Sequence, residues 1–165
     1  MSLTRALRHL FAGPWSVRRA FPQSALDRIH AAIGASEQRH RGEIRFAVEG
    51  ALEFLAVARG LGPRERALEV FSLLRVWDTE ENSGVLLYVQ LVDRDIEIIA
   101  DRGIARHIRE SEWEAICRRM EEACRAARYE DGALAAIAEV SALLERHFPA
   151  GARNVDELPD RPVIL

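Results

Sequence analysis

A nearly unbroken apolar run at residues 84–92 constrains the fold of this chain most strongly. Such a run is typical of a β-strand that is buried on both faces of a sheet. A turn-forming cluster of two aspartates around an arginine follows at residues 93–95, and a second apolar segment follows at residues 96–100. This spacing predicts a β-hairpin. The hairpin brings Asn82, before its first strand, back beside Asp101, after its second.

A third strand is predicted upstream of the hairpin. Residues 43–48 alternate between charged and apolar side chains, so one face of this strand points toward a core. Helical spacing of apolar residues predicts a helix over residues 22–36 and another that starts at Pro63. A strand, helix, strand order implies a right-handed crossover, which makes the two strands parallel if they share a sheet. Their amino-terminal ends then meet the end of the hairpin at one edge.

Two further helices are predicted after the sheet. Ser111 and Glu114 have the spacing of a capping box at the start of the first helix. Residues 131–132, Asp-Gly, separate it from the second helix, which Pro149 ends. Residues 51–61 are apolar without a clean period and are predicted to form a loop or short helix. The chain therefore reads as one small α/β domain with two C-terminal helices.

Acidic and amide side chains gather at the predicted sheet edge. Glu43 opens one strand, Asp78, Glu81 and Asn82 precede the next, and Asp101 follows the third. Carboxylates brought so close repel each other unless a cation or a basic partner offsets their charge. Oxygen ligands of this kind suit Ca²⁺ and Mg²⁺. We therefore predict that these five residues form a divalent cation site.

Each of these residues also has a plainer interpretation. Asp101 has the position of a carboxylate that stabilises a helix start through the helix dipole. Residues 78–81 have the composition of a solvated loop. Glu43 could pair with Arg45 on an exposed strand face, which would contribute little to stability.

The composition is that of an ordinary globular chain. Its 165 residues, 48% of them hydrophobic, suffice for one domain with a core. A net charge of -3 gives no domain-wide basic field that would attract nucleic acid. No apolar run approaches the roughly 20 residues that span a bilayer, and the first residues lack a signal-peptide core. We expect a cytoplasmic protein without a transmembrane segment, with peripheral membrane association as the alternative.

Few residues offer other chemistry. Cys117 and Cys124 lie about 10 Å apart along one predicted helix, too far for a disulfide, and are predicted to be small core residues. Ser83 and His107 have no partners at triad spacing. Residues 60–62, Gly-Leu-Gly, lack the third glycine of a dinucleotide-binding loop. The sequence identifies no catalytic residue.

The two ends of the chain differ from the predicted domain at residues 22–149. Residues 1–21 combine arginines with leucines and aromatic residues, and are predicted to form an arm that packs on the domain or frays. The alternative for this arm is an anionic membrane surface or a partner protein. Residues 150–165 form a proline-bearing tail.

Three motifs resemble the TPM domain family. They occur in order at residues 42–45 (Gly-Glu-Ile-Arg), 82–89 (Asn-Ser-Gly-Val-Leu-Leu-Tyr-Val) and 101–104 (Asp-Arg-Gly-Ile). The similarity spans about residues 22–148, and the tail at 154–160 is similar to the end of the short bacterial branch. The resemblance implies a three-layer α/β/α sandwich around a mixed sheet, with a Ca²⁺ or Mg²⁺ site near one sheet end. It also implies acid phosphatase activity, which is claimed for plant members.

The family motifs fall on particular residues of this chain. The family's Asp-Asn-Gly before its central strand falls on residues 81–84, with Glu81 in place of aspartate and one additional residue. Its acidic residue after the hairpin falls on Asp101. Many relatives carry a signal peptide and a membrane anchor, neither of which is expected here. A cytoplasmic location would favour Mg²⁺ over Ca²⁺.

These observations predict a TPM-like domain whose acidic edge binds a divalent cation weakly, with a regulatory or protein-interaction role. One alternative is a metal-dependent acid phosphatase, in which two carboxylates hold Mg²⁺ and Arg102 neutralises the phosphate. Another is a structural partner of a membrane-associated complex, held through residues 1–21 or 154–165. The sequence does not name the partner protein.

Overall fold

The structure, a computed structural model, describes residues 5, 7–9, 15–151 and 155–165. In chain order the elements are α1 (Trp15–Ala20), α2 (Gln23–Glu37), β1 (Glu43–Glu49), α3 (Phe54–Ala58), α4 (Pro63–Leu73), β2 (Gly84–Gln90), β3 (Asp95–Ala100), α5 (Arg102–Ala105), α6 (Glu110–Arg125), α7 (Tyr129–His147) and β4 (Val163–Ile164).

The four strands form one mixed sheet in the order β3-β2-β1-β4. β1 runs parallel to β2, with Glu43 opposite Gly84. β3 returns antiparallel, with Ala100 opposite Val85. The predicted hairpin and the predicted parallel crossover are therefore both confirmed.

Side chains of β1 and β2 alternate between two cores. On one face, Phe46 and Leu87 belong to a large apolar cluster that also includes Trp113 and Ile137. On the other face, Tyr88 belongs to a smaller cluster. Both strands are buried along their whole length. Burial on both faces explains why the sequence of β2 is almost continuously apolar.

Helices cover both faces, which confirms the α/β/α layering. The larger cluster takes residues from α2, α6 and α7, and the smaller cluster takes Ala67 and Val70 from α4. α6 and α7 approach so closely that a Cβ on Gly132 would lie 2.8 Å from Cβ of Ala123. Gly132 is therefore buried inside α7, where it permits close helix packing. The prediction that residues 131–132 separate the two helices is wrong, since the turn lies at Ala127, with φ 58°.

The start of α6 also differs from the prediction. The helix begins at Glu110, so Ser111 lies inside its first turn. A carboxylate oxygen of Glu112 accepts a hydrogen bond from the backbone N–H of Arg109 at 3.3 Å. The predicted capping box at Ser111 and Glu114 is wrong, because Glu112 caps the helix two residues earlier.

The described part of the N-terminal arm packs against the hairpin turn. Arg5 Nε donates a hydrogen bond to Asp93 Oδ2 at 2.9 Å. His9 Nδ1 accepts one from the backbone N–H of Leu52 at 2.9 Å, so Nε2 carries the proton and donates to Asp93 at 3.1 Å. Leu3, Leu10 and Phe11, part of the predicted arm, lie outside the described residues.

The tail adds the fourth strand, which the sequence did not indicate. Val163 and Ile164 pair in parallel with Ala47 and Val48 of β1, and the N–H of Leu165 donates to Val48 O at 3.0 Å. A two-residue strand that follows a proline has no periodicity from which it could be predicted. Among the described residues, no helix is both long and apolar enough to cross a bilayer.

The entry into β2 leaves no space for a side chain at Gly84. A Cβ there would lie 1.9 Å from the carbonyl oxygen of Val76. We expect Gly84→Ala to lower the free energy of unfolding by about 1–3 kcal/mol through overpacking, measured by urea denaturation. Gly62→Ala is the control, since its Cβ would meet no atom closer than 3.9 Å. Equal losses in the two variants would contradict this account of β2.

Candidate functional site

Three strand ends meet at one edge of the sheet. The N–H of Glu43, at the start of β1, donates to Ser83 O at 3.0 Å. The N–H of Asp101, after β3, donates to Gly84 O at 2.8 Å. The predicted convergence of three acidic segments at this edge is thus confirmed at the level of the backbone. The acidic side chains at this edge, however, have different partners.

The loop before β2 is largely exposed, and two of its three acidic residues form ion pairs. Glu81 forms an ion pair with Arg41 at 2.5 Å, and Asp78 forms one with Arg75 at 2.6 Å. About half of each acidic side chain is exposed, 46% for Glu81 and 50% for Asp78. These carboxylates are therefore already neutralised by arginines at the surface.

Asn82, Asp101 and Arg102 form a small hydrogen-bonded group. Arg102 Nε donates to Asn82 Oδ1 at 2.9 Å. Asp101 Oδ1 accepts from the backbone N–H of Arg102 at 2.7 Å and caps α5. The other oxygen, Asp101 Oδ2, is buried and has no hydrogen-bond partner among the described residues. Asp101 therefore caps the start of a helix, as predicted, and its second carboxylate oxygen accepts no hydrogen bond from the described residues.

Glu43 faces the tail and is only 3% exposed. Its Oε2 accepts hydrogen bonds from the backbone N–H of Leu158 at 3.0 Å and of Glu157 at 3.3 Å. Burial raises the pKa of Glu43 to about 7, although these two N–H groups oppose the rise. Arg45 is also buried, and its Nη1 donates to Arg161 O at 3.3 Å. Glu43 and Arg45 therefore do not form an exposed ion pair on the strand.

A different set of carboxylates lies close together. Glu37, Asp156 and Asp160 each offer one oxygen, and these oxygens lie within 4.8 Å of one another. We call these three residues the carboxylate cluster. Among the described histidine, cysteine, aspartate and glutamate side chains, it is the one group of three at such distances. The five predicted ligands lie outside it, and their role as ligands stays a prediction.

Glu37 is the buried member of the carboxylate cluster. It is the last residue of α2, is 8% exposed, and its Oε1 accepts a hydrogen bond from the N–H of Ile44 at 2.7 Å. Burial, together with the nearby carboxylates of Glu43 and Asp160, raises the pKa of Glu37 to about 9, although the N–H of Ile44 opposes the rise. Glu37 therefore keeps a proton at neutral pH. That proton offsets repulsion within the cluster.

The two tail residues of the cluster complete an oxygen-lined group. Burial and the charge of Asp160 raise the pKa of Asp156. Asp160 Oδ1 is buried without a hydrogen-bond partner among the described residues. Hard carboxylate oxygens, one of them unpartnered, fit the ligand preference of Ca²⁺ and Mg²⁺. The cluster therefore has the chemistry of a divalent cation site.

The carboxylate cluster has only a weak signal in the sequence. Glu37 looks like part of the charged break that ends a helix, and Asp156 and Asp160 look like tail residues. The one signal is that the acidic residues at 156–160 are interspersed with apolar residues and prolines. Apolar residues in a tail indicate that the tail packs against the domain. Sequence spacing cannot show that this segment returns to α2.

The remaining chemical candidates do not assemble a catalytic group. Burial raises the pKa of Cys117 to about 12 and of Cys124 to about 11, so both thiols are unreactive. Both are free, as predicted. The ring of His107 packs edge-on against Phe148, with centroids 5.4 Å apart. Ser83 is buried, and its hydroxyl has no partner among the described residues.

Comparison with known proteins identifies relatives of the chain. A family model described as the TPM domain matches residues 19–143. The fold is similar to the NMR structure of the BA42 protein from the psychrophilic bacterium Bizionia argentinensis, with 25% sequence identity and a TM-score of 0.78. That match covers 88% of this chain and 95% of the other.

A second solved structure is less similar. It is the N-terminal domain of the cg2496 protein from Corynebacterium glutamicum, with 14% identity, a TM-score of 0.48, and coverage of 89% of this chain and 82% of that one. No curated protein matches the chain. Asp156 and Asp160 lie beyond the residues that the family model matches.

The buried carboxyls make stability depend on pH. Between pH 4.5, the ordinary value, and about 9, Glu37 is protonated when folded and ionised when unfolded. Unfolding then releases a proton, so the free energy of unfolding falls as pH rises, by up to about 1.4 kcal/mol per pH unit for this group. Glu43 contributes in the same direction, up to about pH 7.

We expect Glu37→Gln to flatten this decline, chiefly between pH 7 and pH 9, because glutamine keeps the acceptor for Ile44 and carries no titratable proton. Thermal melts across this range test the expectation. Glu114→Gln, which alters an exposed carboxylate on α6, is the control and should keep the wild-type slope. Parallel slopes in wild type and Glu37→Gln would contradict the assignment.

Proposed function

Because the chain belongs to the TPM domain family, we propose that it is a regulatory or protein-interaction domain whose acidic sheet edge binds a divalent cation weakly. The carboxylate cluster is the observation that supports this proposal, with its three oxygens within 4.8 Å of one another. Glu43, whose carboxylate raises the pKa of Glu37, lies beside it. The cation is Ca²⁺ or Mg²⁺, since every side-chain donor is a carboxylate oxygen.

The proton on Glu37 explains why binding is weak. Ligating carboxylates must be ionised, so a cation has to displace this proton, and its affinity rises with pH. The cluster supplies three carboxylates, whereas Ca²⁺ takes six to eight oxygens and Mg²⁺ takes six. Water would complete the coordination shell. Burial of Glu37, at 8% exposure, adds the cost of ionising a group away from solvent.

The position of the cluster suggests the regulatory role. Glu37 belongs to α2, whereas Asp156 and Asp160 belong to the tail. A cation bound between them would tie the tail to the domain and so stabilise the pairing of β4 with β1. Since the tail covers the edge of the sheet at Ala47 and Val48, cation binding would control how readily that edge is exposed to a protein partner.

Thermal melts with Ca²⁺ and with Mg²⁺ test the proposal. A cation at about 10 times its Kd stabilises the folded state by about 1.4 kcal/mol, which raises Tm by about 3–6 °C for a chain of this size. We expect Asp160→Asn to lose this rise, because it removes one carboxylate from the cluster. Asp101→Asn, which alters the other acidic position at the same edge, should keep it.

Each contrary outcome has a clear meaning. Loss of the rise in Asp101→Asn alone would place the ion at the five residues predicted from sequence. Absence of any rise in the wild type would contradict cation binding. Calorimetry in buffers of different ionisation enthalpy adds a second test, because binding at the carboxylate cluster must release the proton of Glu37.

One observation favours a metal-dependent phosphatase as the second candidate. Asp101 Oδ2, which is buried and has no hydrogen-bond partner within the described part of the chain, lies next to Arg102, whose side chain is exposed. A carboxylate that holds Mg²⁺ beside a guanidinium that neutralises phosphate would form a hydrolytic pair. This candidate uses the edge at Asp101, whereas the first uses the carboxylate cluster.

Turnover of p-nitrophenyl phosphate with Mg²⁺ tests the second candidate. Activity should be lost in both Asp101→Asn and Arg102→Gln and retained in Asp160→Asn. Absence of turnover in the wild type would exclude this generic substrate class. Activity that survives in Asp101→Asn would show that a contaminant or another site produces it.

A further inference from the structure

A cavity of about 710 Å³ lies at the opposite end of the sheet from the acidic edge. It opens beside Glu49, the last residue of β1, whereas Glu43 is the first. Its wall continues into the segment around α3, including Leu52, and into the first turns of α4. A seven-residue strand spans roughly 20 Å, so the cavity is separate from the carboxylate cluster.

The strand order makes this end of β1 a favoured place for a ligand. β1 runs parallel to β2 on one side and to β4 on the other. The connection from β1 to β2 passes through α4 on one face, whereas α6 and α7, which precede β4, pack on the other. In open α/β sheets, ligands bind in crevices outside the carboxyl ends of parallel strands, and this cavity lies at that end of β1.

A rigid network forms the inner wall of the cavity. Glu49 is 7% exposed, and its two oxygens accept hydrogen bonds from Arg66 Nε and Nη2, each at 2.9 Å. Tyr88, fully buried, donates its hydroxyl proton to Glu49 Oε2 at 2.5 Å. The ion pair and the hydroxyl hold each other in place, so this wall is preorganised before any ligand arrives.

The rest of the lining is acidic. Arg66 forms ion pairs with both Glu49 and Glu69, each at 2.9 Å. The lining carries four carboxylates, those of Glu49, Glu53, Glu65 and Glu69, against the two guanidinium groups of Arg59 and Arg66, so two negative charges are in excess. A cleft whose lining carries one excess sign of charge concentrates ligands of the opposite sign. The lining therefore selects for a cation and against an anion.

Apolar side chains lie among these charges. Leu52, Ala56 and Leu61 line the same cavity, and Leu52 is 4% exposed. A bare metal ion would gain nothing from this surface. An organic cation would bury its methylene groups against this surface and so remove apolar area from water.

We propose that this cavity is a binding site for an aliphatic amine, which places its ammonium groups near the carboxylates of Glu53 and Glu69 and its methylene chain against Leu52 and Leu61. The site does not depend on cation binding at the carboxylate cluster. It lies at the other end of β1 and uses different residues.

Titration of the ¹⁵N-labelled full chain with 1,5-diaminopentane tests this proposal by NMR. We expect saturable shifts in residues 52–69 at ligand concentrations up to about 10 mM. Two probes of equal chain length separate charge from shape. The neutral 1,5-pentanediol and the dianion glutarate should each bind at least about tenfold more weakly, because neither can pair with the carboxylates.

A pair of substitutions locates the charge recognition. Glu53→Gln with Glu69→Gln should weaken diamine binding by about threefold to tenfold and leave the far-UV circular dichroism unchanged. Glu139→Gln, an exposed carboxylate on α7 away from the cavity, should bind as the wild type does. Should the double variant misfold, the residues that shift in the wild type still decide the question.

Several results would overturn the proposal. Shifts confined to Glu37, Asp156 and Asp160 would show that the amine binds the carboxylate cluster instead. Equal binding of the diol would mean that the cavity recognises the chain without its charge. Preference for glutarate, absence of saturation, or full affinity in a folded double variant would each rule out amine recognition at this site.

Discussion

The parallel pairing of β1 with β2 is the constraint on which the rest of the structure depends. It places Glu43 opposite Gly84 and Glu49 opposite Gln90, so one end of the sheet collects the loops before both strands and the other collects the loops after them. Because both strands are buried on two faces, a slip of one residue would turn every core side chain toward the wrong cluster. The register therefore fixes the position of the acidic edge and of the cavity together.

Buried carboxyl groups connect the tail to this framework. Glu43 accepts backbone N–H groups from Glu157 and Leu158, and Glu37 accepts the N–H of Ile44. Burial raises the pKa of both acids, to about 7 for Glu43 and about 9 for Glu37. Acids held in this way have lost solvation, which is tolerated only while a proton, a cation or a hydrogen-bond donor compensates. The attachment of the tail therefore depends on how the charges of these carboxyl groups are compensated.

The two ends of β1 differ in how their carboxylates are compensated, and this difference separates their proposed roles. At the carboxyl end, Arg66 and Tyr88 satisfy Glu49 completely, which leaves a fixed wall and an acidic rim. At the amino end, Asp160 retains an unpartnered oxygen among the described residues. The first arrangement suits recognition of an organic cation by a preformed cavity. The second suits an ion that joins two segments of the chain.

By itself, the sequence determined the first three strands, the hairpin, the parallel crossover and the convergence of acidic segments at one edge, because hydrophobic periodicity and crossover handedness are local or nearly local properties. It also carried the motifs that resemble the TPM domain. Only the tertiary structure decided which carboxylates meet. Asp156 and Asp160 lie close to Glu37 although more than a hundred residues separate them in the sequence. Glu81 and Asp78 instead form ion pairs with arginines at the surface. Side-chain partners of this kind depend on how distant segments pack, and no spacing within one segment records that.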